Sequence, residues 1–366
     1  MPATTSIQKL VLAALFVFAL GLAQSAGAQP LLPVNINGQF GYINTDGRVV
    51  IEPQFDSAGD FVDGLAPVGK KAGRDNRFGY INEKGAITIP MKFQDVREFS
   101  EGRAVVKFLG RYGVIDTSGK FVAEPVFDRA FSFSDGAARV IQQDMHTGES
   151  RYGFIDRQGK LIITPQYVFA SDFREGLAGF AVAGNDTLKM GFIDKLNRVV
   201  IKPKFNVVGS FSEGLAPVAQ DAVTYLFEGS VLIAEASSPR KKIMYVDKRG
   251  SVVITGEFDS ANDFSEGLAV VEIDARCRYI DKTGKVMLQP NFPAKADCGK
   301  FSEGMAPINH DNGAKFIDKN GKTVITTTFD WADRFRAGVA RVTVVTRAGL
   351  FTYGYIDRTG RVIWKP

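Results

Sequence analysis

The residues able to do chemistry are few. The 366-residue chain has two histidines, His146 and His310, and two cysteines, Cys277 and Cys298. A Ser/His/Asp arrangement or a His-based metal site needs more imidazoles, at defined spacings. Both histidines read as solvated loop residues. Asn309-His310-Asp311-Asn312-Gly313 is polar enough for a cation loop, but it lacks the ligand spacing and closing glutamate of a calcium site and reads as a turn. Gly64-Leu65-Ala66-Pro67-Val68-Gly69-Lys70-Lys71 approximates a phosphate loop, yet Lys71 stands where Ser or Thr must hold magnesium, and no helical pattern follows. No cofactor is implied.

Carboxylates recur in two rows. Asp116, Asp156, Asp194, Asp247, Asp281, Asp318 and Asp357 form one; Asp63, Glu101, Asp135, Glu175, Glu213, Glu266 and Glu303 form the other. A paired carboxylate is what glycoside hydrolysis requires. Here all the acids but Asp194, which has Asn197 instead, are tied to a glycine at fixed turn spacing, and catalysis needs one special pair rather than seven equal ones. Turn capping is the reading for both rows, and no enzyme is expected.

The elements positioning these residues begin with a segment outside the fold. Lys9 precedes the apolar run Leu10–Leu22, and Ala26-Gly27-Ala28 matches the small-residue pattern of a signal-peptidase site. Cleavage between Ala28 and Gln29 is expected, removing residues 1–28 and exporting 29–366 through the general secretory route to the periplasm or exterior. No later run approaches the length of a membrane-spanning helix.

The rest is compositionally globular, with 29 Phe and 10 Tyr, too aromatic for a disordered chain. Its 45 basic and 40 acidic residues are interspersed, so a net charge of +5 marks no nucleic-acid stripe.

One unit recurs throughout. Phe40-Gly41-Tyr42-Ile43-Asn44 is followed by Gly47, Pro53, Phe55 and Phe61-Val62-Asp63-Gly64-Leu65-Ala66. The string returns from Phe78, Tyr112, Tyr152, Met190 and Tyr353, with degraded copies around Val246, Ile280 and Ile317. Successive anchors lie 34 to 40 residues apart, except for one interval of 53. That interval holds an insertion at about 220–242. Alternation gives a strand, Asn/Asp-x-x-Gly a turn, Val49-Val50-Ile51 a return strand stopped by Pro53, and Leu65-Ala66-Pro67-Val68 a third strand. Most glycines are expected at positive φ. A three-stranded module of this size cannot bury its aromatic face alone, so units must pack on one another.

This pattern resembles the WG-repeat (KWG-repeat) family over nearly all of residues 34–366. The tryptophan that names the family is replaced by Phe40, Phe78, Tyr112, Tyr152, Met190 and Tyr353. The resemblance implies an all-β repeat protein and brings no catalytic residues with it.

About nine units of roughly 38 residues are expected to form an open curved β-solenoid or superhelix, because propellers usually have four to eight four-stranded blades. A closed propeller-like ring is the alternative: Leu31-Leu32-Pro33-Val34 looks like a lone third strand able to complete the last unit. Cys277 and Cys298 replace Phe40-type and Ala58-type residues in one repeat, and a disulfide within that repeat is expected. The insertion reads as an extra hairpin of Tyr225-Leu226-Phe227 and Val231-Leu232-Ile233, with Tyr225 and Phe227 as candidate partner contacts. The functional expectation is a non-enzymatic exported scaffold binding a protein or cell-envelope component, or alternatively a glycan- or peptidoglycan-binding module that exposes aromatic rings.

Overall fold

The computed structural model describes residues 29–72, 75–144, 147–182, 188–219, 225–228, 231–234, 243–292, 296–345 and 351–365. The expected leader, including Ala28, and His146 lie outside them. Nine antiparallel sheets, or blades, follow one another along the described chain. Blade 1 contains Leu32–Ile36, Gln39–Ile43 and Val49–Phe55. Blade 2 contains the short strand Ser57–Ala58, then Leu65–Ala72, Asp75–Asn82 and Ile87–Phe93. The same four-strand order recurs in blades 3 to 9, at 95–127, 129–167, 169–205, 207–255, 260–288, 297–326 and 331–364.

The third strand of the sequence repeat therefore pairs with the hairpin that follows it, not the one before. Leu65↔Asn82 and Val68↔Gly79 fix that register in blade 2, and Leu32↔Ile43 fixes it in blade 1. The lone strand at Leu32 thus completes the first blade rather than the last.

Each apolar cluster straddles two blades. Tyr42, Ile51 and Phe55 of blade 1 pack with Ala66, Val68 and Ile81 of blade 2. A ring of blade n meets the phenylalanine of blade n+1 edge-on or tilted. Examples are Tyr42–Phe61 at 4.9 Å, Phe192–Phe211 at 4.8 Å and Tyr279–Phe301 at 5.1 Å between centroids. Such pairs are worth about 1 kcal/mol each beyond their buried area.

The array closes into a ring, which overturns the expected open solenoid. Leu32, Val34 and Ile43 of blade 1 form one core with Val339, Tyr355 and Ile363 of blade 9. Tyr355 donates to the Pro33 carbonyl at 2.9 Å, Arg341 pairs with Asp60 at 3.0 Å, and Arg361 reaches the Thr45 carbonyl at 3.4 Å. The physical reason lies in the units: in blades 2 to 9 a short fourth strand joins the three-stranded module, making it a propeller-type blade. Every blade also presents the same apolar face to the next, so nothing stops the progression until the last meets the first.

The motif glycine and proline have reasons other than those expected. Pro53 does not stop its strand; it sits within Val49–Phe55, at a register shift between Phe40↔Phe55 and Tyr42↔Ile51. A Cβ on Gly41 would lie 2.4 Å from the Ile51 carbonyl oxygen. Gly41 is needed for the close approach of this bulge. Blades 6 and 8 carry Met244 and Lys315 in that slot, and there Met244↔Thr255 and Tyr245↔Ile254 run without a shift, as do Lys315↔Thr326 and Phe316↔Ile325. Glycine and bulge disappear together.

The insertion forms the expected hairpin, Tyr225–Glu228 with Val231–Ala234. It leaves blade 6 and adds to the edge of blade 7, where Val231↔Asn262 and Ile233↔Ser260 pair it with that blade's short strand.

Candidate functional site

The two carboxylate rows do different work. In the first, each side chain accepts from backbone amides two and four residues on, as Asp156 does from Gln158 at 2.9 Å and Lys160 at 2.9 Å. These are the expected turn caps. The second row does not cap its own turn. Asp63, Glu101 and their equivalents sit at φ of 50° to 55° ahead of a positive-φ glycine, in a two-residue hairpin turn. Their carboxylates reach into the next blade. Asp63 accepts from the Gly102 amide at 2.8 Å, Glu101 from Gly136 at 2.9 Å, and Glu175 from Gly214 at 3.0 Å. The same acids meet a cation of that blade: Lys195–Asp135 at 3.0 Å, Lys248–Glu175 at 3.1 Å, Lys282–Glu213 at 3.1 Å and Lys319–Glu266 at 3.2 Å. This row is a chain of staples around the ring, which leaves it no free pair for catalysis.

The short strands and the residues after them face a central cavity of about 710 Å³, lined from blades 4 to 9. Its wall carries Arg139, Asp172, Arg174, Asp263, Asp297, Lys300, Asp333 and Arg334, and four aromatic residues, Phe169, Phe211, Phe264 and Trp331. Trp331 opens blade 9 opposite Thr343 and is 44% exposed. Arg139 pairs with Asp172 at 3.1 Å and lies over the Phe131 ring at 4.0 Å. Asp263 is 9% exposed; its Oδ2 accepts from Lys300 at 3.1 Å, while Oδ1 is buried with no hydrogen-bond partner among the described residues. Burial raises the Asp263 carboxyl, against the lowering effect of Lys300 and then Arg174. Burial likewise raises Asp297. A second cavity of about 790 Å³ lies at the closure and shares Asp333 and Arg334; Gln29, Pro30, Asp60, Asp63 and Glu83 are on its wall.

The structure scatters the sequence candidates. Cys277 and Cys298 are disulfide-bonded, with Cα atoms 6.3 Å apart. The bond joins blade 7 to blade 8 rather than lying within one blade, because the unit frame is shifted. It takes the place of the Phe40–Ala58 packing between blades 1 and 2. His310 is half-buried, stacked on Phe292 at 5.8 Å, and its Nδ1 accepts from the Asn312 amide at 3.1 Å. Gly64 to Lys71 is turn and strand. Tyr225 and Phe227 lie on the outer strand of the inserted hairpin. Among the described residues no three His, Cys, Asp or Glu side chains are grouped to hold a metal ion, and no helix is long and apolar enough to cross a membrane.

Sequence reasoning missed Trp331, Arg174, Asp263 and Arg334. A signal existed for one: Phe173-Arg174-Glu175-Gly176 breaks the Phe-Ser-Glu-Gly string. The others sit in slots whose residue type varies from blade to blade, and a variable slot looks like an ordinary loop.

Mainly four-stranded blades around a central cavity define a propeller-like repeat protein without an obvious catalytic or metal centre among the described residues. Its repeats match the WG containing repeat in eight segments: 40–71, 78–112, 112–144, 152–185, 190–222, 243–277, 278–313 and 316–344. The chain belongs to that family. No curated protein matches it. Among solved structures it is similar to the β-propeller domain of the Trilobed protease from Pyrococcus furiosus, at 10% identity, covering 85% of this chain and 96% of that one with a TM-score of 0.45. It is also similar to apo AztD from Citrobacter koseri, at 12% identity, 81% and 93% coverage and a TM-score of 0.41. Hsv2p from Kluyveromyces lactis matches at 8% identity, 72% and 96% coverage and a TM-score of 0.39.

Proposed function

We propose that this chain is an exported, non-enzymatic binding module that holds a glycan in the central cavity of its ring. The observation that carries this reading is Trp331, nearly half exposed on the wall of a cavity whose remaining groups are mostly polar. An indole offers a rigid apolar face for the C–H face of a sugar, and flanking carboxylates, guanidinium groups and amides can hydrogen-bond its hydroxyls. A volume of about 710 Å³ lies within the usual range for small-ligand sites. Most aromatic rings of the repeat slots are committed to packing between blades, so the cavity rather than the repeat surface supplies the platform.

The test is a fluorescence titration. The chain has two tryptophans, Trp331 and Trp364, so Trp364→Phe leaves Trp331 as the sole indole reporter. Saturable change with cell-wall or polysaccharide oligomers, abolished by Trp331→Ala, supports the reading. A flat response across neutral and acidic oligosaccharides refutes it. Export carries its own check: N-terminal sequencing of protein from the producing cell should begin at Gln29, and an intact Met1 would contradict removal of the leader.

A protein partner remains a second reading at a different place. The inserted hairpin leaves Tyr225–Glu228 as an edge strand of a six-stranded sheet, the kind of edge on which another chain can add a strand. Tyr225 and Phe227 are its proposed contacts. Cross-linking should lose the partner when 221–239 is deleted; an unchanged partner set rejects this reading.

A further inference from the structure

The ring contains nearly the same slot in blades 2 to 9, so each of these blades serves as a control for the others. In five blades a serine follows the inter-blade phenylalanine and donates to the carbonyl of the next blade's phenylalanine. The bonds are Ser100 to Phe133 at 2.8 Å, Ser134 to Phe173 at 2.7 Å, Ser212 to Phe264 at 2.7 Å, Ser265 to Phe301 at 2.8 Å and Ser302 to Phe335 at 2.8 Å. Blade 5 puts Arg174 there and gives up that bond. Nothing local replaces it: among the described residues, the Arg174 guanidinium makes no ion pair and no hydrogen bond. Arg174 instead lines the central cavity.

Arg334 stands on the same wall, from blade 9, and it too has no carboxylate or hydrogen-bond partner among the described residues. Blade 9 repeats the serine exchange with Arg336. Burial lowers the Arg334 guanidinium from its ordinary value, and Arg336 and then Arg174 add to that lowering, against the raising effect of Asp333. The other cations of this wall are neutralised, Arg139 by Asp172 and Lys300 by Asp263. Arg174 and Arg334 therefore keep their guanidinium forks out of ion-pair contact, although Asp263 and Asp333 act on them from a distance on the same wall. A guanidinium fork matches a planar carboxylate.

A second observation comes from the opposite charge. Asp263 is nine-tenths buried in the same wall, and its Oδ1 has no donor among the described residues although Oδ2 holds Lys300. A buried carboxylate oxygen left without a donor is costly unless something supplies one. A ligand hydroxyl is such a donor.

We infer that the saccharide held in the central cavity is an acidic one, a uronic-acid-type sugar whose carboxylate lies on Arg174 and Arg334 and whose hydroxyl donates to Asp263. The inference rests on the glycan reading above and narrows it to a substrate class.

The experiment uses the full exported chain carrying Trp364→Phe, with galacturonate and mannuronate oligomers and their methyl esters as probes. The ester keeps the ring and hydroxyls and removes the charge. The acids should bind about tenfold or more tightly than their esters, with affinity falling as salt rises. Arg174→Ser should remove that preference, so that acid and ester bind with the same affinity. It also restores the serine of five sister blades, so loss of folding is not expected, and a thermal melt checks this. Arg334→Gln should act in the same direction, and Asp263→Asn should weaken acid and ester alike. Equal affinities for acid and ester, or a preference that survives Arg174→Ser, overturns the acidic assignment and leaves the glycan reading standing. No Trp331 response to any acid or ester overturns both.

Discussion

Tyr355 donates its hydroxyl hydrogen to the carbonyl oxygen of Pro33 across 2.9 Å of space and 322 residues of sequence. Elsewhere the tyrosine of one blade donates to a carbonyl in or just after the next blade's short strand, from Tyr80 to Arg97 at 2.7 Å and from Tyr245 to Asn262 at 2.7 Å. Blade 1 has no short strand, so at the closure the donor moves to a carbonyl of the first long strand, and burial keeps the Tyr355 phenol protonated, raising it to about 12.

Removing that hydroxyl should loosen the ring at one place. Tyr355→Phe is expected to cost about 1 kcal/mol, with a similar loss for Tyr80→Phe, measured by urea denaturation. A Tyr355→Phe variant as stable as the parent, beside a destabilised Tyr80→Phe, would argue that the two ends do not meet in solution.

The bulge glycines should be far less replaceable than the turn glycines facing open space. A Cβ on Gly79 would lie 2.4 Å from the Ile89 carbonyl oxygen, whereas one on Gly102 meets nothing within 4 Å. Gly79→Ala is expected to cost about 2 kcal/mol or more through overpacking. Gly102→Ala should cost about 1 kcal/mol, the strain of its positive φ alone. Parallel melting curves of the two variants decide this.

Acid should weaken the inter-blade staples. Burial acts to raise Asp135 and Glu175, but the hydrogen bonds and charges of Lys195 and Lys248 and the amides of Gly176 and Gly214 outweigh it, leaving both carboxyls below their ordinary values of 3.8 and 4.5. A depressed folded-state value adds stability above the unfolded value, and that contribution disappears as pH falls through the folded one. Denaturation midpoints should therefore drop between pH 5 and pH 3, about the window set by those values. Glu175→Gln should shrink the drop by no more than about 1 kcal/mol, since the Lys248 pair is half-exposed. An undiminished drop would assign the acid sensitivity elsewhere.

The disulfide should be formed and stabilising in the exported protein. Intact mass before and after reduction should differ by two hydrogens, and reduction should cost about 3 kcal/mol for a loop of this size. The double variant Cys277→Phe/Cys298→Ala rebuilds the packing seen at Phe40 and Ala58, and should recover part of that loss. Free thiols in protein from the native compartment would contradict the pairing.

How much was legible depended on the range of the cause. The first carboxylate row was readable because an aspartate capping amides two and four residues on is a local event. The second row looked identical in sequence, yet Glu101 acts on Gly136 in another blade. Pro53 was read as a strand stop because its missing donor is a local fact, but a bulge opposite Gly41 accommodates it. The disulfide partners were legible as paired departures from the repeat. Which two blades they join was not, because the pairing of the third strand sets the frame and that strand can face either neighbour.

The sequence by itself determined the repeat, its turns and its aromatic slots, since strand alternation and turn chemistry operate within a dozen residues. Only the tertiary structure decided that nine such units close. Closure depends on the small rotation between neighbouring blades, a packing quantity summed around the whole ring. Closure in turn brings Arg174, Asp263, Trp331 and Arg334 to one wall. These residues come from blades 5, 7 and 9, and no local pattern links them.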